Sequence, residues 1–271
     1  MTGFLLGSGQ KEPAMGRTMW VRLAWHALAE GVASKVYRQL YTSAGAEWVT
    51  RGYFNHYIQI PAVDEAALWT WFGLGFGQQQ VHASLELTAY SQNKNTVWQD
   101  LTIRQAGPGD EEILAGFSGT IAVYQTGAPV WAPMAAGELE ELRQGYAELA
   151  TDKEAITWLA FEGDQAVGMQ AYFPVSPGIE NPLVPDNAIE LKVGSTQPQA
   201  RGIGIASALT QHALWDAKEK GYAWCLIDWR STNLLSSSFW PRFGFEPVAY
   251  RLERRVDERV GDGEQMNQMI M

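Results

Sequence analysis

The chain has 271 residues, of which 46% are hydrophobic and 18% are charged, as in ordinary folded proteins and unlike disordered ones. Its net charge of -10 argues against a general nucleic-acid binder, which would normally be basic, so we expect no nucleic-acid partner. The single cysteine, Cys225, excludes an internal disulfide and a cysteine-rich zinc site. No apolar run approaches the length of about 18 residues that a membrane span needs. The apolar run near the N-terminus is too short for a signal peptide, and we expect a cytoplasmic protein with no membrane contact.

The first half of the chain contains a pattern that recurs in the second half at a constant offset, without a gap. The matching positions are Gly52-Tyr53 with Gly221-Tyr222, Asp64 with Asn233, Trp71 with Trp240, and Gly75-Phe76 with Gly244-Phe245. So few identities are compatible with chance, but their spacing favours a degenerate duplication. The polar segment 89–100 is the predicted linker between the two halves.

The second half alternates between strand and helix patterns. Strands are predicted at 101–106, on both sides of the turn Gly163-Asp164, at 187–196, at 222–229 and at 244–256. The strand at 222–229 is expected to be buried on both faces. Helices are predicted from Pro108 and Asp110 onward, at 135–149, at 205–221 and at 231–243. The order β-α-α-β-β-β-α-β-α-β predicts a mixed α/β layer.

The run "QARGIGIASAL" at 199–209 has two interpretations. Gly202 and Gly204 allow close backbone approach to a ligand, and the helix that follows offers unpaired N–H groups and a positive dipole end, which suits a phosphate. The alternative is a tight strand-to-helix turn. A Walker loop does not fit, because Ile205-Ala206-Ser207 follows the second glycine, and a dinucleotide fingerprint here would leave too little chain to complete its sheet.

Two motifs together resemble those of the GNAT acetyltransferases. Arg201, Gly204 and Ala206 match the family's Arg/Gln-x-x-Gly-x-Gly/Ala signature, and 233–245 is similar to its Asn-x-x-Ala-x-x-Phe-Tyr-x-x-x-Gly-Phe element. The resemblance covers 101 to 256 and implies an α/β GNAT fold, in which helices flank a mixed central sheet. It also implies a degenerate, partial GNAT-like domain at 1–95, an acetyltransferase domain at 101–257 and a polar tail at 258–271.

The resemblance implies acetyl-CoA as the cosubstrate. The pyrophosphate would rest on the N–H groups of Arg201, Gly202, Ile203, Gly204, Ile205 and Ala206. The pantetheine arm would lie between strands that splay apart and would pair with the backbone of Ser195 and Thr196. Asn233, Phe239 and Trp240 would flank the thioester. In the first half, Val32-Ala33-Ser34-Lys35 stands where the glycines would be, so we expect one working site per chain.

The family's usual general acid has no match here. Trp240 stands where many members carry a tyrosine that protonates the leaving thiolate, and an indole N–H has negligible acidity. Tyr222 and Tyr250 are weak candidates for this role, since both fit structural positions better.

A carboxylate on the strand before the glycines often accepts the proton of the amine in the family, and Glu190 holds such a position. It alternates with Ile189 and Leu191 and therefore faces away from them. The alternative is a surface glutamate beside Lys192. Asp228 is a second candidate for the same role.

The resemblance implies an N-acyltransferase that moves an acetyl group to a primary amine by direct attack. The acceptor would be a small molecule or a peptide, and its pocket could be lined by Trp131, Trp158, Tyr172 and Phe173, although such aromatics more often belong to the core. The alternative is a CoA-binding sensor or scaffold without catalysis. His26, His56, His82 and His212 are scattered without ligand spacing, so no metal is expected.

Overall fold

The computed structural model describes residues 2–12, 16–91, 101–132, 134, 137–179 and 181–260. Most of the predicted linker and of the predicted tail lies outside these ranges. The strands described are Gly3–Leu5 (β1), Ser8–Glu12 (β2), Gly16–Val21 (β3), His26–Leu28 (β4), Asn55–Pro61 (β5), Gly77–Glu86 (β6), Leu101–Gln105 (β7), Ile156–Glu162 (β8), Gln165–Val175 (β9), Ala188–Thr196 (β10), Trp224–Arg230 (β11) and Glu246–Arg255 (β12). The α-helices described are Val36–Thr50 (α1), Glu65–Phe72 (α2), Glu111–Ala115 (α3), Ser118–Thr126 (α4), Glu138–Glu148 (α5), Ile205–Glu219 (α6) and Leu234–Phe239 (α7).

Ten of the strands form one continuous mixed sheet in the order β2-β3-β5-β12-β6-β11-β10-β9-β8-β7. Two neighbouring pairs are parallel, β3 with β5 and β10 with β11. The other neighbours are antiparallel. Strands β1 and β4 form a separate antiparallel pair. The α/β fold with a large mixed central sheet agrees with the sequence-based expectation.

Helices cover both faces of this sheet. Successive residues of a strand point to opposite faces, so neighbouring residues of one strand pack against different helices. On β8, Trp158 and Ala160 belong to the hydrophobic cluster that includes Leu209 of α6. Leu159, between them, packs instead with residues of α3 and α5, including Leu114 and Tyr146. A third cluster joins α1 and α2 to β3, β5 and β12. We call the face that carries α6 the helix-6 face, and the face that carries α3 and α5 the opposite face.

Elements of the two halves recur with the same spacing as the sequence pattern. Helices α1 and α6, which begin at Val36 and Ile205, start at equivalent positions under the constant offset, and both have 15 residues. Strands β5 and β11, and strands β6 and β12, have matching bounds at the same offset. Gly52 and Gly221 both have positive φ, at 79° and 91°, as do Gly75 and Gly244, at 82° and 88°.

The two halves exchange their last strands. Strand β12 of the second half lies between β5 and β6 of the first half, and β6 in turn pairs with β11 of the second half. The arrangement resembles two intertwined copies, each of which completes the sheet of the other. The division of the chain into 1–95 and 101–257 stays a prediction, but in space the two segments share one sheet.

The expectation that the strand at 222–229 is buried on both faces is wrong. Cys225 and Ile227 are buried, whereas Leu226 between them is only half-buried and Asp228 is exposed. The sequence does not show this alternation, because an apolar residue, Leu226, occupies a position that is only half-buried. The strand therefore has one face in the core and one partly accessible face, which carries Trp224 and Leu226 as well as Asp228 and Arg230.

The helix predicted from Pro108 and Asp110 is divided into α3 and α4. Asp110 stands at the N-cap of α3 but makes no side-chain cap hydrogen bond. Its carboxylate instead accepts two hydrogen bonds from the Arg104 guanidinium at 2.7 Å and one from the Gly107 N–H at 2.9 Å. The Arg104 guanidinium accordingly lowers the pKa of Asp110, and this pair ties β7 to the start of α3.

Candidate functional site

The parallel strands β10 and β11 separate partway along their length. They are paired from Ala188 opposite Trp224 to Leu191 opposite Ile227, and β10 has a bulge between Leu191 and Val193. Both strands continue beyond this point, β10 to Thr196 and β11 to Arg230. We call the point beyond the pair Leu191–Ile227 the fork. Beyond the fork the two strands are no longer paired with each other.

A glycine-containing loop leads from the end of β10 into α6. A short 3-10 turn at Pro198–Ala200 is followed by Gly202 and Gly204, whose φ values are 82° and 99°. Gly204 is the N-cap of α6 and makes no side-chain cap hydrogen bond. The first helical hydrogen bond runs from the Ala208 N–H to the Gly204 carbonyl. The preceding N–H groups of the helix are thus available to an anion.

The fork and this loop border a groove of about 420 Å³, which we call the fork groove. Its lining includes ten of the residues predicted from the sequence, namely Ser195, Thr196, Arg201, Gly202, Gly204, Ile205, Ala206, Asn233, Phe239 and Trp240. Ile203 lies outside the lining and its side chain is 59% exposed. The two sequence motifs therefore meet at one cavity.

The charge of the fork groove is cationic, although the whole chain is acidic. Among the described residues that line it, the charged ones are Arg201 and Arg242. The Arg201 Nε donates to the Thr196 carbonyl at 3.2 Å, and its guanidinium lies 5.4 Å from the centre of the Tyr124 ring. Two arginines beside the N-terminus of a helix favour a phosphorylated ligand.

The motif at 233–245 forms one wall of the fork groove. The Asn233 Oδ1 accepts a hydrogen bond from the Ser236 N–H at 3.2 Å and so caps α7. Phe239 packs edge-on against Trp240 with ring centres 4.7 Å apart, and Trp240 packs against Phe245 at 5.8 Å. The indole of Trp240 therefore fills space between the wall and the core.

The structure adds lining residues that the two motifs did not indicate. Thr120, Ile121 and Tyr124 come from α4, and Gln170 comes from β9. Arg242 lies within the second motif, at a position for which the motif specifies no residue type. The α4 residues carry no sequence signal, because a helix from a distant part of the chain reaches the groove only through tertiary packing.

Glu190 does not line the fork groove. It precedes the fork and lies opposite Leu226 on β11 and Phe173 on β9. Its carboxylate forms an ion pair with Lys192, and its side chain is 18% exposed. It faces a separate cavity of about 70 Å³, together with His82 and other residues of both halves. The alternative interpretation, pairing with Lys192, is thus present in the structure.

The other chemically notable side chains are structural. Cys225 is completely buried, and burial raises the pKa of its thiol, so the thiolate that a nucleophile requires is suppressed. Tyr222 and Tyr250 pack against the hydrophobic cluster around α6.

Among the described residues, no group of three or more His, Cys, Asp or Glu could hold a metal ion. None of the described helices has the length and apolar character that crossing a membrane requires.

A larger cavity of about 680 Å³, which we call the α4 cavity, lies on the other side of α4. Tyr124 of α4 lines the fork groove, whereas Ala122 and Gln125 line the α4 cavity. Gln125 Oε1 accepts a hydrogen bond from the Arg230 Nε at 3.2 Å. The cavity is built by both halves, with Tyr57 from β5, 77–79 from β6, Arg230 at the end of β11 and Thr232 shortly after it.

Of the aromatic residues considered for an acceptor pocket, only Trp131 lines the α4 cavity. Its side chain is 70% exposed. Trp158 and Tyr172 are buried in the cluster around α6, and Phe173 packs with the α3 and α5 cluster. For these three residues the core interpretation is the right one.

Comparison with solved structures shows the same fold in several acetyltransferases. A GCN5-related N-acetyltransferase from Sphaerobacter thermophilus is 14% identical, with a TM-score of 0.59 over 94% of this chain and 76% of that one. A GCN5-related N-acetyltransferase from Kribbella flavida is 15% identical, with a TM-score of 0.54 over 97% and 90% of the two chains. A tandem GNAT protein from the clavulanic acid biosynthesis pathway is 13% identical, with a TM-score of 0.56 over 92% and 79%.

A comparison with curated protein sequences finds no match. The profile described as "Acetyltransferase (GNAT) family" matches residues 124–245, a segment that includes the fork, the glycine loop and α7. This match supports N-acetyltransferase activity. Residues 124–245 are a domain of the acetyltransferase (GNAT) family, and the described part of the chain shares the GNAT fold with the solved structures.

Proposed function

We propose that this chain transfers an acetyl group from acetyl-CoA to a primary amine of a small molecule or peptide, by direct attack of the amine on the thioester. The observation that carries the proposal is the fork groove, where a parallel strand pair opens beside a glycine loop, a helix N-terminus and two arginines. This combination fits a ligand with a pyrophosphate at one end and an extended, backbone-pairing arm. The cytoplasmic location stays a prediction of the sequence.

Different residues of the fork groove would bind different parts of acetyl-CoA. The Arg201 N–H already donates to the Pro198 carbonyl at 3.3 Å, so the N–H groups of 202–206 and the two arginine side chains, Arg201 and Arg242, would hold the pyrophosphate. The edge of β10 at Ser195 and Thr196, which pairs with β9 but no longer with β11, would pair with the pantetheine arm. Asn233 and Phe239 would flank the thioester from α7. Acetyl-CoA supplies the activated acyl group, and a backbone N–H near the bulge of β10 can stabilise the oxyanion that forms on its carbonyl.

Direct attack fits the side chains around the groove better than a covalent intermediate does. A thiol nucleophile is disfavoured because Cys225 is buried with a raised pKa. The amine must then lose a proton to a group beside the fork, and Glu190 and Asp228 are the two carboxylates that the sequence offers there. We place the acceptor in the α4 cavity, since α4 borders both this cavity and the fork groove.

The test measures CoA binding and thiol release with the same protein. We expect acetyl-CoA to bind and to yield free CoA in the presence of at least one member of a panel of amines and peptides. Binding without turnover on any acceptor would favour the non-catalytic sensor instead. Gly204→Glu should abolish CoA binding, because it puts a negative charge and a strained backbone at the helix N-terminus.

The first half offers a matched control for this substitution. The constant offset between the halves places Lys35, the exposed N-cap residue of α1, at the position that corresponds to Gly204. Lys35→Glu should leave CoA affinity unchanged. If Gly204→Glu also bound CoA like the wild type, the proposed site would be wrong.

A further inference from the structure

Asp228 stands at the fork on the accessible side of the sheet. It is the first residue of β11 beyond Ile227, the last residue paired with β10. Its neighbours Ile227 and Trp229 are buried, whereas Asp228 itself is exposed. Because alternate residues of a strand point to opposite faces, the Asp228 carboxylate lies on the face opposite to α6. Arg230, two residues later on the same face, lines the α4 cavity in which we place the acceptor.

The first half of the chain supplies the groups beside Asp228. In the exchanged strand β6, His82 lies directly opposite Asp228 and Gln80 lies opposite Arg230. The Gln80 Nε2 donates a hydrogen bond to the Asp228 Oδ1. A neutral amide donor orients the carboxylate without cancelling its charge, unlike the ammonium of Lys192 that is paired with Glu190.

The charged or titratable groups around Asp228 are His82, Arg251, Arg230 and the ion pair of Lys192 with Glu190. The Arg230 Nε donates to the Gln125 Oε1. Burial lowers the pKa of His82, and the negative charge of Asp228 opposes this shift only in part, so the imidazole is neutral near pH 7. Arg251 on β12 interacts electrostatically with Asp228, but its Nε donates to the Gln79 Oε1 at 2.7 Å and its guanidinium lies 5.3 Å from the Trp20 ring. Lys192 and Glu190 on β10 form an ion pair with each other.

We propose that Asp228 accepts the proton of the acceptor ammonium and that Gln80, from the other half of the chain, is its positioning residue. This inference rests on the proposed acetyl transfer and assigns its proton acceptor. The first half then completes the catalytic centre, in addition to packing against it.

The proposed step balances as follows. The R–NH₃⁺ group gives one proton to the Asp228 carboxylate, directly or through a water. The neutral nitrogen attacks the thioester carbon, the C–N bond forms and the C–S bond breaks. The departing thiolate takes a second proton from the nitrogen of the tetrahedral intermediate, which leaves an amide and CoA thiol. The proton on Asp228 returns to solvent before the next turnover.

The experiment compares Asp228→Asn with Glu190→Gln in the full chain, using the best acceptor amine found above. We expect Asp228→Asn to lower kcat by about 10² to 10⁴, the usual contribution of a general base, with the Kd for CoA unchanged. Activity of this variant should rise steeply toward high pH, because a growing share of the amine is already neutral. Asp216→Asn removes a carboxylate that pairs with Lys220 on α6, away from the groove, and should leave kcat unchanged.

The role of the first half is tested with Gln80→Met, which keeps the shape of the side chain and removes the donor. We expect kcat to fall about tenfold or more, the effect of losing one hydrogen bond to a charged group, with an unchanged Kd for CoA and a shifted pH profile. A Kd for CoA that changed in parallel with kcat would indicate a merely structural role.

Two results would overturn the assignment. The first is Asp228→Asn with wild-type kcat while Glu190→Gln loses activity, which would give the role to Glu190 and leave the proposed acetyl transfer intact. The second is that Asp228→Asn and Gln80→Met both have the pH profile of the wild type. Failure of the proposed function itself is distinct, since the wild type would then release no thiol with any amine.

Discussion

Gly168 on β9 shows how closely the start of α6 is held against the sheet. A Cβ atom at this position would lie 2.8 Å from the Leu209 Cδ1 and 3.1 Å from the Ile205 Cγ2. Leu209 is completely buried and Ile205 is 4% exposed, so a shift of either side chain would disturb its packing. Ile205 is also the first residue of α6 and lines the fork groove. Packing under the helix therefore fixes the position of the N–H groups that we assign to the pyrophosphate.

We expect Gly168→Ala to reduce the free energy of unfolding by about 1–3 kcal/mol, because overpacking a tight contact forces neighbours out of their rotamers. It should also weaken CoA binding by shifting the start of α6. Denaturant unfolding and CoA titration measure the two effects. As a control of opposite sign, Gly145→Ala on the exposed face of α5, where a Cβ would meet nothing within 4 Å, should stabilise by about 0.5–1 kcal/mol. Equal stability of the two variants would contradict the packing argument.

At the scale of elements, the two halves use the same devices to begin and end helices. The Asp64 Oδ1 accepts from the Ala67 N–H at 2.9 Å and caps α2, as the Asn233 Oδ1 caps α7. Glycines with positive φ stand at equivalent places before β5 and β11 and before β6 and β12. The repeat is detectable in the sequence because the backbone dictates these residue types, whereas the packing residues between them differ.

Substitution of the two N-cap residues, Asp64 and Asn233, distinguishes an effect on stability from an effect on ligand binding. Asp64→Ala and Asn233→Ala should each lower the free energy of unfolding by about 1 kcal/mol, the usual value of an N-cap side chain. Only Asn233→Ala should weaken CoA binding, since α7 borders the fork groove and α2 does not. Thermal unfolding and CoA titration of both variants test this expectation. A loss of CoA affinity in Asp64→Ala would mean that the first half also takes part in cofactor binding.

For the whole molecule, strand exchange makes the two halves interdependent. Without the first half, β12 loses both of its partners, β5 and β6, and β11 keeps only β10. Unpaired strand edges favour aggregation over a folded monomer.

A fragment that begins at Leu101 should therefore fail to fold cooperatively and fail to bind CoA, although it contains all residues of the fork groove. Co-expression with a fragment that ends at Tyr90 should restore a folded complex with CoA affinity. Size-exclusion chromatography, circular dichroism and CoA titration follow these outcomes. A folded, CoA-binding second half on its own would show that the exchanged strands are dispensable.

The sequence by itself determined most elements of the second half, the two motifs that meet at the fork groove and the offset of the repeat. These features rest on local physics, since glycines with positive φ, helix caps and hydrophobic periodicity leave their signature in consecutive residues. It also indicated ten of the residues that line the fork groove, because the loop and α7 carry them in two short runs.

Only the tertiary structure decided the strand order and what it brings together. The pairing of β6 with β11 and of β12 with β5 joins segments that are far apart along the chain, and such long-range pairing has no local signature. For the same reason, the sequence showed His82 and Gln80 as isolated residues, whereas the exchanged strand places them beside Asp228 at the fork. Tyr124 likewise reaches the fork groove through the packing of α4, and the opposing faces of β11 appeared only when its neighbours were in place.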